Sequence, residues 1–403
     1  MNSEPVPDVT VVVGAYEAMP YLVRCLESVE TQTLGADRIE IVAVDDGSSD
    51  GTGEYLENFA ALSKVPTRVV RQANSGGPSG PRNVGLGLAR GRYVFFLDAD
   101  DYLGDEALER MVAMADRAGT DVVLGKMEGV NRGVPRSMFT RTQERADLYT
   151  SKVIFTLSAQ KLFRRELILR LGLRFDEGLA TGEDALFTME AYLSGKGVSI
   201  VAGYVCYYLV SRDDGNHATQ RGGYAVRFEA IHALMDLIAR LVPPGAERDQ
   251  LMVRPFTVGL LQQFGVGMLR RPEEEQRHKM ELAAPMTAAY WTKGVADRIK
   301  VGERLVLTCV AMGRLDSLRS QLEFLHAKTV PEVVHHGRAG RAHLAFPYFR
   351  DRRTGIPDEV YVVTVPDWSG SRRVMPSSKT RPSIARRAVR KARRHLRRLR
   401  TRG

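Results

Sequence analysis

Apolar and polar positions along the first part of the chain alternate between two periods. Val9 to Val13 is a short β-branched apolar run, the pattern of a strand buried on both faces. Tyr21 to Thr31 instead spaces Leu22, Cys25, Leu26 and Val29 three and four apart, which predicts an amphipathic helix. The two signals then take turns. Strands are predicted over Ile39 to Val44, Thr67 to Arg71 and Tyr93 to Leu97, with another beginning over Asp121 to Gly125. Helices are predicted over Gly53 to Leu62, Asn83 to Ala89 and Glu106 to Arg117. Such alternation argues an α/β domain with a mostly parallel central sheet covered on both faces. Ligands in such sheets sit outside the carboxyl ends of the strands. Two acidic clusters fall at those ends, Asp45-Asp46 and Asp98-Ala99-Asp100-Asp101.

Mixed elements from Leu148 to Val210 complete this first unit, taken as residues 1–222. Residues 223–330 read as a helical region, with Phe228, Ile231, Leu234, Met235, Leu237 and Ile238 at helical spacing. Residues 331–368 read as a short β-rich segment, with strands over Ala342 to Phe346 and Glu359 to Val365 around a turn at Gly355-Ile356-Pro357-Asp358. Residues 369–403 read as a linker and a basic tail.

Composition changes this picture in one respect. The formal charge is +10, but residues 372–403 hold fourteen Lys or Arg and no acid, and removing them from +10 leaves −4 for the rest. The folded body is therefore mildly acidic, and the basic character belongs to the tail. Ile384, Ala388, Ala392, Leu396 and Leu399 form one helical stripe among those cations, which suits an anionic membrane surface. Nucleic-acid binding is the lesser expectation, because no aromatic platform accompanies the charge, and a disordered, solvated charge run is the bland alternative. No run of about twenty apolar residues occurs, and no basic flank with an apolar segment opens the chain, so neither a spanning helix nor a secretory leader is expected. Three widely spaced cysteines predict small core residues in a reducing compartment. A cytoplasmic protein, peripheral at the inner face of the cell membrane, is the expectation.

Each acidic motif has a bland reading. Asp45 to Thr52 could simply be a turn feeding a helix, with Asp50 or Thr52 as its cap. The glycine-rich run Asn74 to Asn83 could be a plain loop, or a backbone approach to phosphate with Arg82 as the charge partner. Thr181-Gly182-Glu183-Asp184 could favour a helix N-terminus, or hold a carboxylate over an acceptor hydroxyl. Ser211 to His217 could be a charged turn. A strand ending in Asp98-x-Asp100 can present a carboxylate to Mg2+ or Mn2+ that also grips a diphosphate, since these ions want one or two carboxylates plus phosphate and water oxygens.

Taken in order, these motifs resemble the family 2 glycosyltransferases of GT-A fold, over roughly residues 8 to 220. Val11 to Glu17 stands where that family reads a strand followed by Pro-Thr-Tyr-Asn; Tyr16 matches, while Gly14, Ala15 and Glu17 depart. Gln32-Thr33, Val44 to Ser48, Asn74 to Gly85 and Phe96 to Asp101 match well. Arg212 to His217 resembles a loop of the bacterial wall teichoic acid sugar transferases within the family. The resemblance implies an inverting transfer from a nucleotide-sugar, most often UDP-linked, to a glycan, polymer or lipid-linked acceptor. It implies Asp184 as general base beside Glu183. Gly14, Ala15, Tyr16, Glu17, Asp45, Asp46, Asn74, Arg82, Asp98, Ala99, Arg212 and His217 would face the donor. Asp100, helped by His217, would hold the divalent metal, with Asp101 as a neighbouring cap. The competing expectations are an inactive member acting as a scaffold, and a nucleic-acid binder built on the tail.

Overall fold

The computed structural model describes residues 6–212, 223–337 and 340–368. His217 and the basic tail over 383–402 lie outside them. Nine strands form one sheet: β1 (Val9–Ala15), β2 (Ile39–Asp45), β3 (Thr67–Arg71), β4 (Tyr93–Asp98), β5 (Tyr102–Leu103), β6 (Val122–Val130), β7 (Gln143–Ala146), β8 (Leu162–Arg164) and β9 (Val198–Val210). Their order is β3-β2-β1-β4-β8-β6-β9-β5, with β7 pairing β9 off this path. The first four strands run parallel, β6 and β9 run parallel, and β8 enters antiparallel between β4 and β6. This is the mostly parallel α/β sheet that the alternation predicts.

The helices α1 (Tyr21–Glu30), α2 (Thr52–Leu62), α3 (Ser79–Leu88), α4 (Ala107–Ala118), α5 (Arg165–Leu171) and α6 (Glu183–Ser194) accompany the sheet. In α1 the residues spaced for burial, Leu22, Cys25, Leu26 and Val29, are buried. One expectation is corrected here. The run Asn74 to Asn83 is a loop only as far as Pro78, because α3 begins at Ser79 rather than Asn83. Pro81 does not oppose this, since the first turn of a helix has no internal partner for its N–H groups. Gly14 lets that turn approach closely; a Cβ there would lie 3.3 Å from Pro81 Cβ.

Helices over Tyr224–Leu241, Ala246–Arg254, Glu273–Tyr290, Val301–Ala311 and Leu315–His326 follow, and their apolar faces join the same buried core. The first of them abuts the start of α6: a Cβ on Gly182, whose φ is +86°, would lie 2.7 Å from Ala230 Cβ. The C-terminal hairpin pairs Val333–His336 with Arg341–Leu344. The second strand expected over Glu359 to Val365 is absent among the described residues. Asp358–Tyr361 is instead a short 3-10 turn, with one bridge from Val362 to His343. Pro357 enters it at φ −66°, and the turn buries Tyr361 completely while its hydroxyl donates to Pro347 O at 2.9 Å. No helix among the described residues is long and apolar enough to cross a membrane.

Candidate active site

Register brings the two acidic clusters together. In the parallel ladders Ala15 pairs with Asp45 on one side of β1, and Gly14 pairs with Asp98 on the other. The carboxyl ends of three adjacent strands thus form one rim.

On the β2 side the carboxylates organise loops. Asp46 is buried and accepts from Gln72 Nε2 at 2.6 Å, from Ser75 N at 3.1 Å and from Ser75 Oγ at 2.9 Å. Ser75 N also reaches the other carboxylate oxygen at 3.1 Å, so both oxygens of Asp46 are engaged in fixing this loop. Asp45 accepts from Ser48 N at 3.1 Å and pairs with Arg71 at 3.3 Å. Gly47 adopts φ +81°, and a Cβ there would lie 2.8 Å from Asn74 N, so this turn fits closely against the next loop. Glu17, at φ +46°, accepts from Ser49 N at 2.8 Å, while its own N–H donates to Ser48 Oγ at 3.0 Å. Arg212 donates to Glu17 O at 2.7 Å and lies over the Tyr21 ring at 5.3 Å. Tyr16 and Asn74 lie exposed on this rim, and Asn74 Oδ1 accepts from Gly76 N at 2.8 Å.

On the β4 side Arg82 is the hub. Its guanidinium, 8% exposed, donates through one terminal nitrogen to Asp98 Oδ1 at 2.8 Å. The other meets Asp184 Oδ1 at 2.6 Å and Glu183 Oε1 at 3.3 Å. Glu183 and Asp184 lie about a hundred positions beyond Arg82 in sequence, and the fold places them with Asp98 on one cation. Arg82 thus bridges the acid at the end of β4 and the two acids at the start of α6. Asp184 Oδ2 also accepts from Ala159 N at 3.2 Å, and Gln160 Nε2 donates to Asp98 Oδ2. Burial raises the Asp184 carboxyl above its usual range, and Arg82 opposes that rise. Glu183 is raised by burial and then by Asp184.

Asp101 is more than a cap. It is buried, accepting from Tyr207 Oη at 2.7 Å and Val210 N at 2.7 Å, and so fastens β9 beneath the acidic cluster at the end of β4. Ala99 is buried beside it. Asp100 is partly buried, and its carboxyl is raised by burial and by Asp98, against the pull of Arg212 and Arg132. Among the described residues no three His, Cys, Asp or Glu side chains form a metal-binding array. An ion shared with a diphosphate does not need one, because phosphate and water oxygens complete the shell. Burial first, and then Asp101, Asp100 and Asp98, push the neighbouring Cys25 thiol up, and burial raises Asp101 itself to about 8. The oxygen-rich cluster of these three acids fits a divalent cation held in that way.

Sequence reasoning missed the floor of this site. Gln160, Lys161 and Tyr207 are all buried beneath it, and none sits in a periodic or acidic motif. Lys161 is 1% exposed and donates from Nζ to Ser158 O. Burial pushes its ammonium down to about 7, although Asp184 opposes the shift and Arg254 adds to it. A lysine depressed in the fold binds fewer protons there than when unfolded, so stability rises with pH between the folded value of about 7 and the ordinary value of 10.5. Lys161→Met removes that slope. The expected result is a melting temperature above wild type at about pH 6, with the gap narrower at about pH 9, read from parallel thermal melts. A gap that does not change with pH would exclude a buried charge at this position.

Comparison with known proteins places this geometry. A sequence model described as Glycosyl transferase family 2 matches residues 10–172, and one described as Glycosyl transferase TarS linker domain matches residues 225–321. The crystal structure of Staphylococcus aureus TarS 1-349 in complex with UDP-GlcNAc superposes with a TM-score of 0.75 at 30% identity, covering 84% of this chain and 97% of that one. The chain belongs to the family 2 glycosyltransferases. The poly(ribitol-phosphate) beta-glucosyltransferase of Bacillus spizizenii is 40% identical over 210 residues, which is 52% of this chain and 33% of that protein. The poly(ribitol-phosphate) beta-N-acetylglucosaminyltransferase TarS of Staphylococcus aureus is 38% identical over 232 residues, 57% of this chain and 39% of that protein. This family 2 glycosyltransferase thus aligns with little more than a third of the length of those two relatives. Its α/β sheet, helical region and terminal hairpin are the GT-A arrangement of the TarS structure.

Proposed function

We propose that this glycosyltransferase moves a sugar from a UDP-sugar to a hydroxyl of a ribitol-phosphate polymer, inverting the anomeric centre, with Asp184 as general base. The observation that carries the reading is the single guanidinium of Arg82, which holds Asp184 on one side and Asp98 on the other. A base for the acceptor and the acid at the donor end are thereby kept at a fixed separation, which is what a one-step displacement needs. The donor class is supported by the TarS complex with UDP-GlcNAc, and the polymer class by the names of the two relatives.

In that displacement the acceptor O–H proton passes to the Asp184 carboxylate. The freed oxygen forms the new bond to the anomeric carbon from the face opposite the nucleotide. The bond from that carbon to the diphosphate breaks, and its electron pair leaves with UDP. Burial favours proton uptake by Asp184, while Arg82 favours its ionised form. Asp100 would hold a divalent ion, which would supply charge neutralisation for the leaving diphosphate. The Asp46-held loop and the Arg212 contact to Glu17 shape the donor side.

The test is direct. The full chain with UDP-glucose or UDP-N-acetylglucosamine, a poly(ribitol phosphate) acceptor and Mg2+ or Mn2+ is expected to release UDP and label the polymer. Chelation is expected to stop turnover, and Asp100→Asn to lower kcat by about a hundredfold or more. Turnover indifferent to chelator would remove the metal, and no labelling with either donor would remove the substrate assignment.

A further inference from the structure

A loop ahead of β8 carries an arrangement that the chemistry above leaves unused. Asp184, Thr188 and Tyr192, four apart on one face of α6, are all bonded to residues 156–159. Ala159 N donates to Asp184 Oδ2 at 3.2 Å, Thr188 Oγ1 donates to Ser158 O at 3.2 Å, and Tyr192 Oη donates to Thr156 O at 3.1 Å. Lys161 Nζ donates to the same Ser158 carbonyl. The next side chain, Gln160, turns away from α6 and donates to Asp98 Oδ2. Arg82 joins the same two carboxylates through their other oxygens. Asp98, Arg82, Asp184, Ala159 and Gln160 therefore close a ring.

Gln160 is 8% exposed, and its Oε1 is buried with no hydrogen-bond partner among the described residues. Turning the amide over would set Oε1 against the Asp98 carboxylate, acceptor against acceptor. A buried glutamine serving packing alone is expected to satisfy both ends. This one leaves an acceptor unsatisfied and keeps its N–H on Asp98.

We propose that Gln160 is a positioning residue for the transfer step: by holding Asp98 it fixes Arg82, and through Arg82 it sets the direction and basicity of Asp184. The inference rests on the general-base reading. The charged groups acting on Asp184 are Arg82 from α3, Asp98 from β4, its neighbour Glu183 and Lys161 from the entry to β8, with Arg254 of the helix Ala246–Arg254 acting on Lys161. Without the Gln160 amide the charge on Asp98 is less offset and draws Arg82 from Asp184. Both changes make Asp184 hold its proton to higher pH.

The experiment is a kcat–pH profile of the full chain, with UDP-glucose and UDP-N-acetylglucosamine as donors and poly(ribitol phosphate) as acceptor, for wild type, Gln160→Leu, Gln160→Glu and Asp184→Asn. In both Gln160 variants kcat falls on the order of tenfold to a hundredfold, donor KM stays within about threefold, and the acid limb moves to higher pH. Gln160→Glu keeps the size of the side chain, so it carries the measurement if the leucine variant does not fold. A kcat loss with an unmoved acid limb, or no loss in either variant, overturns the proposal. Wild-type activity and an intact acid limb in Asp184→Asn overturn the general-base reading, and the proposal with it.

Discussion

Asp184→Asn is expected to lower kcat by about 10²- to 10⁴-fold while the UDP-sugar still binds within about threefold of wild type. The substitution keeps the side chain's shape and removes its ability to take a proton. One cost is local. Asp184 accepts from donors on both oxygens, Arg82 at 2.6 Å and Ala159 N at 3.2 Å, so an amide must point its NH2 at one of them. That mismatch strains the acceptor side, whereas the loops anchored by Asp46 and Glu17 lie elsewhere on the rim and keep their contacts. Single-turnover transfer together with calorimetric titration of donor separates the two. Loss of donor binding in parallel with loss of transfer would mean that Asp184 is structural. Glu183→Gln is the control, since Glu183 shares the same guanidinium at the longer 3.3 Å. If Glu183 were the base, the outcomes of the two variants would exchange.

Much of this site can be read from the chain because it depends on strand ends. A buried parallel strand announces itself by an apolar run, and the residues just past it must lie at the ligand-binding edge. Asp45, Asp46, Asp98 and Asp100 follow from that rule alone. Asp184 is legible for another reason, the Gly-Glu-Asp signal at the start of a helix. What pattern cannot show is which side chains from distant elements meet. The glycine-rich run around Arg82 gives no sign of the three carboxylates that it meets once α3 begins at Ser79 and turns it inward. Gln160 and Lys161 are polar residues at the mouth of a three-residue strand, too short for a period to mark them as buried. Asp101 reads as a cap because its partners, Tyr207 and Val210, come from a strand a hundred residues later. The C-terminal segment misleads in the opposite sense. Val360 to Val363 has strand-like composition, but burial of Tyr361 after Pro357 is satisfied by a tight turn.

Arg82→Met is expected to cost more stability than any other single change in the site, about 3–5 kcal/mol, because it strips the cation from a buried cluster and leaves the acids in place. Asp98, Glu183 and Asp184 would then face one another with only the donors from Gln160, Ala159 and the more distant Lys161. Their affinity for protons must rise. A carboxyl whose folded value lies above its unfolded one holds its proton in the fold, so its penalty is absent below the ordinary carboxylate range and grows as pH climbs toward the folded value. The deficit relative to wild type is therefore largest at about pH 8 and smaller at about pH 5, measured as the shift in urea midpoint at each pH. An equal deficit at both would show that packing against Phe175, 5.3 Å from the guanidinium, rather than charge is what Arg82 supplies. Arg82→Lys divides the remaining possibilities. A lysine restores the charge, and with it most of the stability, but one ammonium cannot present two parallel forks to acids on opposite sides. Its kcat is expected to stay on the order of a hundredfold below wild type, since the spacing between Asp98 and Asp184 is no longer fixed. Full recovery of kcat in the lysine variant would mean that the cluster needs only a cation, and that the bridge between donor end and base is incidental to transfer.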